Sequence, residues 1–264
     1  MTISTLDGYI AAAKQHVRIT KNTTRSTTTG QWFSMFDLGG APGAGVLAGT
    51  STTTGVVPTD ATAGMPVIQA FGVGATGYLT QVEFGANAPA RFRIYDLLWK
   101  GGAYAFNANT SGNTPASYAS RLPDTDYSHC EIWYEQVTAG TGTQSVNVTY
   151  TNELGTTGRT TGATSLGTTG TLGRMIQLPL AAGDKGVQGV TGVVGTVASA
   201  GTFNILVMRP IWSGRARISN DGGNHGLDLV GMPIVYSDSA LYPIHIADSS
   251  AGALLELKLV IANA

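Results

Sequence analysis

The sequence predicts an all-β protein, a jelly-roll-like β-sandwich with a short N-terminal helix and an extended arm. Three observations carry this. From Trp32 onward, apolar residues recur with a period of two, the spacing of a strand with one buried face. Gly, Pro, Asn and Asp interrupt the chain at short intervals, as in Gly39-Gly-Ala-Pro-Gly, Asn107 to Pro115, Gly140-Thr-Gly and Asp221-Gly-Gly-Asn. Helical spacing is clear in one place only, near the N-terminus.

That place is Ser4 to His16. Ser4 is the expected cap, with Asp7 three residues on, and Leu6, Ile10, Ala13 and Val17 fall on one face. The polar run Lys21 to Gly30 contains no apolar residue and reads as an extended arm or linker. The expected division is therefore residues 1–30 as helix and arm and residues 31–264 as the sandwich body, with 107–123 as the weakest spot for a subdivision.

Within the body, Tyr78 to Phe84, Arg91 to Tyr95, Glu131 to Glu135, Ser145 to Thr151, Phe203 to Met208 and Ala253 to Ile261 read as strands. Phe203 to Met208 is almost wholly apolar, the mark of a central strand covered on both faces. Thr156 to Gly173 repeats Gly-Thr-Thr-Gly-like units and reads as a long exposed loop. About ten strands with irregular connections favour a jelly roll.

Composition narrows the function classes. Charged residues are 12% of the chain, against roughly 25% in an ordinary soluble domain, and Gly is 36 of 264 residues. Net charge is −1, which opposes direct binding to nucleic acid or to an anionic membrane. A weakly charged surface resists self-association poorly and suits a protein whose faces are covered by other subunits. The single cysteine, Cys130, allows no intrachain disulfide, and the reducing cytoplasm is the expected place of folding. No secretory signal or apolar membrane span is read in the sequence.

Chemical motifs are weak. Gly72-Val-Gly-Ala-Thr-Gly77 has the GxGxxG letters, but alternating residues follow it where a dinucleotide fold needs a helix, so it reads as a turn. His16, His129, His225 and His245 lack metal-site spacing, and Cys130 reads as a small core residue. Asp124-Thr-Asp126 with Glu131, and Asn220 to Asp228, offer oxygens but read as turns rather than calcium sites. Glu131 and Glu135 share a strand face at roughly 13 Å, too far apart for a glycosidase pair. The pairs Arg91/Arg93 and Arg215/Arg217 read as edge-protecting cations, or as a patch for an acidic partner. Trp32, Trp99, Trp133 and Trp212 could stack on sugars if exposed, but each lies by an apolar run and reads as core. No catalytic, cofactor or metal residue is assigned.

Several segments resemble structural proteins of tailed bacteriophage virions. They are Ser4-Thr-Leu-Asp-Gly-Tyr-Ile-Ala-Ala, Ala41-Pro-Gly-Ala-Gly, and Tyr95-Asp-Leu-Leu-Trp-Lys-Gly-Gly-Ala-Tyr104, followed by Val148-Thr-Tyr-Thr-Asn-Glu-Leu-Gly-Thr-Thr-Gly-Arg-Thr160 and Leu180-Ala-Ala-Gly-Asp-Lys-Gly-Val187. The resemblance implies a head decoration, or cement, protein that clamps neighbouring major capsid subunits, often as a homotrimer. It would be made in the host bacterial cytoplasm and sit on the capsid exterior. Leu6, Tyr9, Ile10, Arg18 and Arg25 are the expected interface residues. A tail or fibre component that binds host glycan, and a polysaccharide-degrading enzyme, are the rival readings.

Overall fold

The computed structural model describes residues 3–25, 27–107, 109–111, 114–196, 201–248 and 252–264. Helix α1 (Leu6–Ala11) leads directly into strand β1 (Ala13–Lys21). Short strands β2 (Trp32–Ser34), β3 (Gly40–Ala41) and β4 (Ser51–Val56) precede β5 (Gly77–Ala86) and the long β6 (Ala90–Ala105). Next come β7 (Asn109–Ser111), β8 (Glu131–Thr138) and β9 (Gly140–Asn152). They are followed by β10 (Arg159–Thr160), β11 (Thr164–Gly170), β12 (Arg174–Leu178), β13 (Val187–Thr196) and β14 (Thr202–Ala216). The chain ends with β15 (Asp221–His225), helix α2 (Leu227–Val230), β16 (Ile234–Val235), β17 (Leu241–Ala247) and β18 (Leu255–Asn263).

Among the described residues the strands form three antiparallel sheets, in a jelly-roll-like sandwich whose middle sheet curls closed. One outer sheet runs β15-β5-β18-β1-β3, with β16 also on β5. The other runs β10-β9-β13-β7, with β11 also on β9. The middle sheet runs β14-β8-β12-β2-β17-β6, and β6 pairs back onto β14, closing a six-stranded barrel with β4 appended to β6.

Closure follows from the length of β6 and β14. They pair from Ala90↔Ala216 to Ala105↔Thr202. At one end β6 has β17 on its second edge; at the other end β14 has β8. The same two strands therefore face both outer sheets. Phe92, Ile94, Ile211 and Trp212 pack against Val17, Leu257 and their neighbours in the first outer sheet. Leu98, Trp99, Phe203 and Val207 pack against Val148, Val190 and their neighbours in the second. A third cluster, including Tyr95, Trp133, Leu206, Met208 and Tyr242, fills the barrel. The apolar run Phe203 to Met208 is thus covered on both faces, as its composition predicts.

The N-terminal expectation needs correcting. The helix stops at Ala11 and is capped by Thr5, not Ser4: Gly8 N–H donates to Thr5 Oγ1 at 3.0 Å. Residues 13–21 are a strand in nine-residue register with β18, with Val17 opposite Leu259 and Ile19 opposite Leu257. Val17 fits both periods, but Val17, Ile19 and Thr20 are β-branched, and the β18 partner decides in favour of the strand. Nor does the polar run that follows project as a free arm. Asn22 N–H donates to the Gly39 carbonyl, Thr23 Oγ1 accepts from Gly39 N–H, and Arg25 is buried in an ion pair with Asp37. Ser26 lies outside the described residues, as do Ala108, Gly112 and Asn113 of the expected Asn107–Pro115 turn.

The Thr156–Gly173 segment is also not a plain loop. It forms β10 and β11, both paired with β9. Threonine is a good strand former, and glycines with positive φ at 158, 162 and 167 supply the turns and bulges between short paired runs.

Candidate functional site

The barrel interior is graded along its axis. At its centre Glu135 is fully buried and accepts from Tyr242 Oη and, at 2.7 Å, from Asn204 Nδ2. Ser34 Oγ lies 2.7 Å from Tyr242 Oη, and Asn204 ties the same group to Leu47 O and Gly49 N. This network spans β2, β8, β14 and β17 with every member satisfied, the condition for tolerating a buried carboxylate. Burial pushes the Tyr242 hydroxyl well above its ordinary pKa, so it stays a donor.

At one end of the barrel lies an apolar recess of ≈410 Å³ lined by Phe36, Val46, Val57, Met65 and Leu97, with Lys100 among them. Lys100 Nζ donates to Val46 O at 3.2 Å and sits 5.1 Å from the Phe36 ring centroid. Burial lowers its pKa, partly opposed by Glu135 and Asp37.

The opposite mouth is polar and basic. Beyond Met208, β14 pairs only with β6, which leaves Arg209–Ala216 with an open edge. Two recesses of ≈350 and ≈320 Å³ follow this edge and share Arg93 and Ser213 in their walls. A third of ≈490 Å³, lined by His129, Gln177 and Lys185 among others, continues the groove past Glu131 and Pro210. Gly214 is needed here, because a Cβ would meet the Trp212 ring at 2.4 Å.

The side chains of this mouth are held in place. The Arg93 guanidinium lies over the Trp32 ring, 4.6 Å from its centroid, and donates to Tyr95 Oη at 2.9 Å. Tyr95 Oη donates to Glu131 Oε2 at 3.1 Å, and Trp133 Nε1 donates to the same oxygen at 2.8 Å. Burial, reinforced by Glu131, raises the Tyr95 pKa and keeps its proton in place. Arg91 and Arg215 are cross-strand partners, and Asp248 bridges them with ion pairs of 3.2 and 3.0 Å. Pairing of β6 with β14 thus brings Arg215 beside Arg91 and Arg93, which lie far from it in sequence. Arg217 falls just beyond β14, its backbone N–H on Asp221. The mouth can bind and orient an anion. Glu131 and Glu135 sit at different depths, each in its own network, and do not flank a common cleft.

The expected interface residues divide. Leu6 and Ile10 are 67% and 65% exposed on α1, and Tyr9 is half-buried with Lys14 Nζ 4.5 Å from its ring centroid. Arg18 is exposed on the outer face of its sheet, opposite Lys258. Arg25 is buried, ion-paired with Asp37 and donating to the Leu172 carbonyl at 2.8 Å. The structure gathers Leu6, Tyr9 and Ile10 but leaves Arg18 and Arg25 on other parts of the fold.

Among the tryptophans, Trp99, Trp133 and Trp212 are core, while Trp32 is partly exposed at the mouth. Cys130 is buried and its thiol is pushed up to about 12 by desolvation. His245 is buried between Phe33 and Phe92. Asp126 and Asp221 cap turns, through Ser128 N–H and through Arg217 and Gly222 N–H. Among the described residues no three His, Cys, Asp or Glu side chains converge as metal ligands, and no helix is long and apolar enough to cross a membrane.

No protein-family model matches the sequence, and no curated protein matches it. Among solved structures, the chain is similar to viral shell proteins at a very low level. A structure of infectious bursal disease virus, Gx strain, is 8% identical over 96% of this chain and 80% of the other, with a TM-score of 0.19. The D431N mutant VP2 protein of that virus, in T=1 particles, is 10% identical over 96% and 77%, with a TM-score of 0.18. A VP2 subviral particle is 8% identical over 95% and 80%, with a TM-score of 0.20. Superposition this poor establishes neither a shared fold nor a shared role.

Proposed function

We propose that this chain is a capsid decoration protein of the tailed-bacteriophage kind, a non-catalytic subunit that docks between major capsid subunits and braces the head against packaged DNA. The observation that carries the reading is α1. It buries none of its six residues, and it holds Leu6 and Ile10 out to solvent. A helix this short is marginal alone. Here Thr5 caps it and Lys14 Nζ donates to the Tyr9, Ile10 and Ala12 carbonyls, at 2.7, 3.3 and 3.2 Å.

The body thus fixes a small apolar helix on its surface. A shallow recess of ≈280 Å³ beside it joins Leu6 and Tyr9 to Leu227 of α2, and Leu229, two residues on, is 65% exposed. The low charge of the chain and the virion-protein resemblance of its segments, α1 included, support the same reading. A stable joint needs roughly 1,200–2,000 Å² of buried surface, so α1 and α2 form the centre of a wider contact.

The test is co-sedimentation with heads assembled without this protein. Leu6→Ser with Ile10→Ser removes roughly 1.5–3 kcal/mol of apolar burial per site and weakens binding tenfold or more. Undiminished binding by that variant, or absence of binding by the intact chain, rejects the reading. A stable trimer of the isolated chain would fit a clamp at a threefold junction.

A further inference from the structure

We infer that the basic mouth of the barrel is a binding site for a sugar acid, a saccharide unit carrying one carboxylate, with Arg93 as the residue that receives the carboxylate. The site is distinct from the α1 surface, and the inference does not depend on where the chain sits in a particle.

The reasoning begins with Arg93. Its guanidinium lies over Trp32, 4.6 Å from the ring centroid, and is tethered by one donor to Tyr95 Oη, and among the described residues it has no carboxylate partner. A guanidinium with one N–H engaged keeps its other N–H groups for a ligand, and a carboxylate is the anion a guanidinium takes through two parallel hydrogen bonds. Its rotamer is already fixed, so little entropy is lost on binding.

The surroundings set the charge of the ligand. The two recesses that share Arg93 gather three guanidiniums, Arg91, Arg93 and Arg215, against Glu131 in their walls and Asp248 on Arg91 and Arg215. Arg91 and Arg215 are already balanced in part by Asp248. A surplus of one positive charge suits a monoanion. A doubly charged phosphate would face Glu131 and Asp248 without enough cations to offset both of its charges.

The remaining groups set the ligand's chemistry. Among the described residues, Ser213 Oγ and Glu131 Oε1 have no protein partner, which leaves an acceptor and a donor–acceptor for sugar hydroxyls. Trp32 is the partly exposed aromatic ring of the mouth, with Arg93 over its face, while Tyr95 is fully buried and offers only its hydroxyl to the network. Two connected recesses of ≈350 and ≈320 Å³ at a barrel mouth are within the size range of small-ligand sites. An acidic peptide would satisfy Arg93 but would leave these hydroxyl-matching groups unused.

The experiment is titration of the full chain with N-acetylneuraminate and with galacturonate, read by tryptophan fluorescence and by NMR shift perturbation. Galactose, sulfate and an acetylated Asp-Glu dipeptide serve as comparison probes. Saturable binding of at least one sugar acid is expected, with galactose at least tenfold weaker. Arg93→Gln should lower affinity about tenfold or more, the scale of a charge-assisted hydrogen bond. Arg18→Gln, on the far sheet face, should leave it unchanged. If Arg93→Gln does not fold, Ser213→Trp, which fills the exposed groove without removing charge, should block binding instead. The inference is overturned if neither sugar acid saturates, if galactose binds equally well, if sulfate or the dipeptide binds more tightly, or if these mouth variants bind like the wild type.

Discussion

Asp184 accepts a 2.8 Å hydrogen bond from Arg159 Nε, joining two segments that both belong to the virion-protein resemblance. Its carboxylate also accepts from Tyr150 Oη at 2.7 Å and Asn152 Nδ2 at 2.9 Å, while Glu153 Oε2 accepts from the Lys185 and Gly186 N–H groups. Gly186 is required because a Cβ would lie 1.9 Å from the Tyr127 carbonyl oxygen. These motif residues are a structural clasp at one end of the β9–β13 sheet.

Asp184→Asn should loosen that clasp. Its hydrogen bonds, led by the one from Arg159, hold the Asp184 pKa down to about 2, below the ordinary 3.8. The group therefore stabilises the fold above pH 3.8 and loses that contribution as pH falls towards 2. The variant should unfold at lower urea concentration by about 1–3 kcal/mol at pH 7, and its stability should vary less than the wild type's between pH 4 and 2.

His245 should dominate a different part of the acid limb. Burial holds its pKa down to about 4, against an ordinary 6.5. The folded state keeps it neutral, so its penalty is absent above pH 6.5 and grows as pH falls to 4, reaching about 3 kcal/mol. His245→Phe, placed between Phe33 and Phe92, should flatten stability across that window in urea melts at stepped pH. An unchanged slope would reject the assignment.

Asp96 is the most consequential buried charge. It receives Arg121, Arg209, the Ser239 hydroxyl at 2.9 Å and the Ala240 N–H at 3.1 Å, and so fastens β6 to β14 and to two connecting loops. Asp96→Asn leaves two buried guanidiniums without their counter-charge and should cost about 3–5 kcal/mol, visible as a large fall in melting temperature.

Truncations should separate helix from strand. Removing residues 1–12 takes away α1 and leaves β1 paired with β18, so a folded body with native strand circular dichroism is expected. Removing residues 1–30 deletes β1 from between β18 and β3 and exposes Leu257, Leu259 and their neighbours, so aggregation is expected. Equal behaviour of the two truncations would contradict the assigned role of β1.

The strands at Tyr78, Arg91, Ser145, Phe203 and Ala253 were legible because alternation along a strand is a local property. Residues 13–21 were not, since Val17 satisfies two periods and only the β18 partner separates them. The mouth was half legible. Arg91 and Arg93 announce a shared face, but nothing in the sequence places Arg215 opposite Arg91 or Trp32 beneath Arg93.

By itself, then, the sequence determined the all-β class, the alternation that assigns faces, and the sparse charge. Each depends on residues within a few positions of one another. Tertiary structure alone decided barrel closure, the fate of Arg25, the Asp184 clasp and the gathering of three arginines around one groove. Barrel closure, the Arg25–Leu172 contact and the meeting of Arg91 with Arg215 join residues roughly a hundred positions apart or more, and the Asp184 clasp joins separate segments at one sheet's end; register and sheet order, invisible to local pattern, select these contacts.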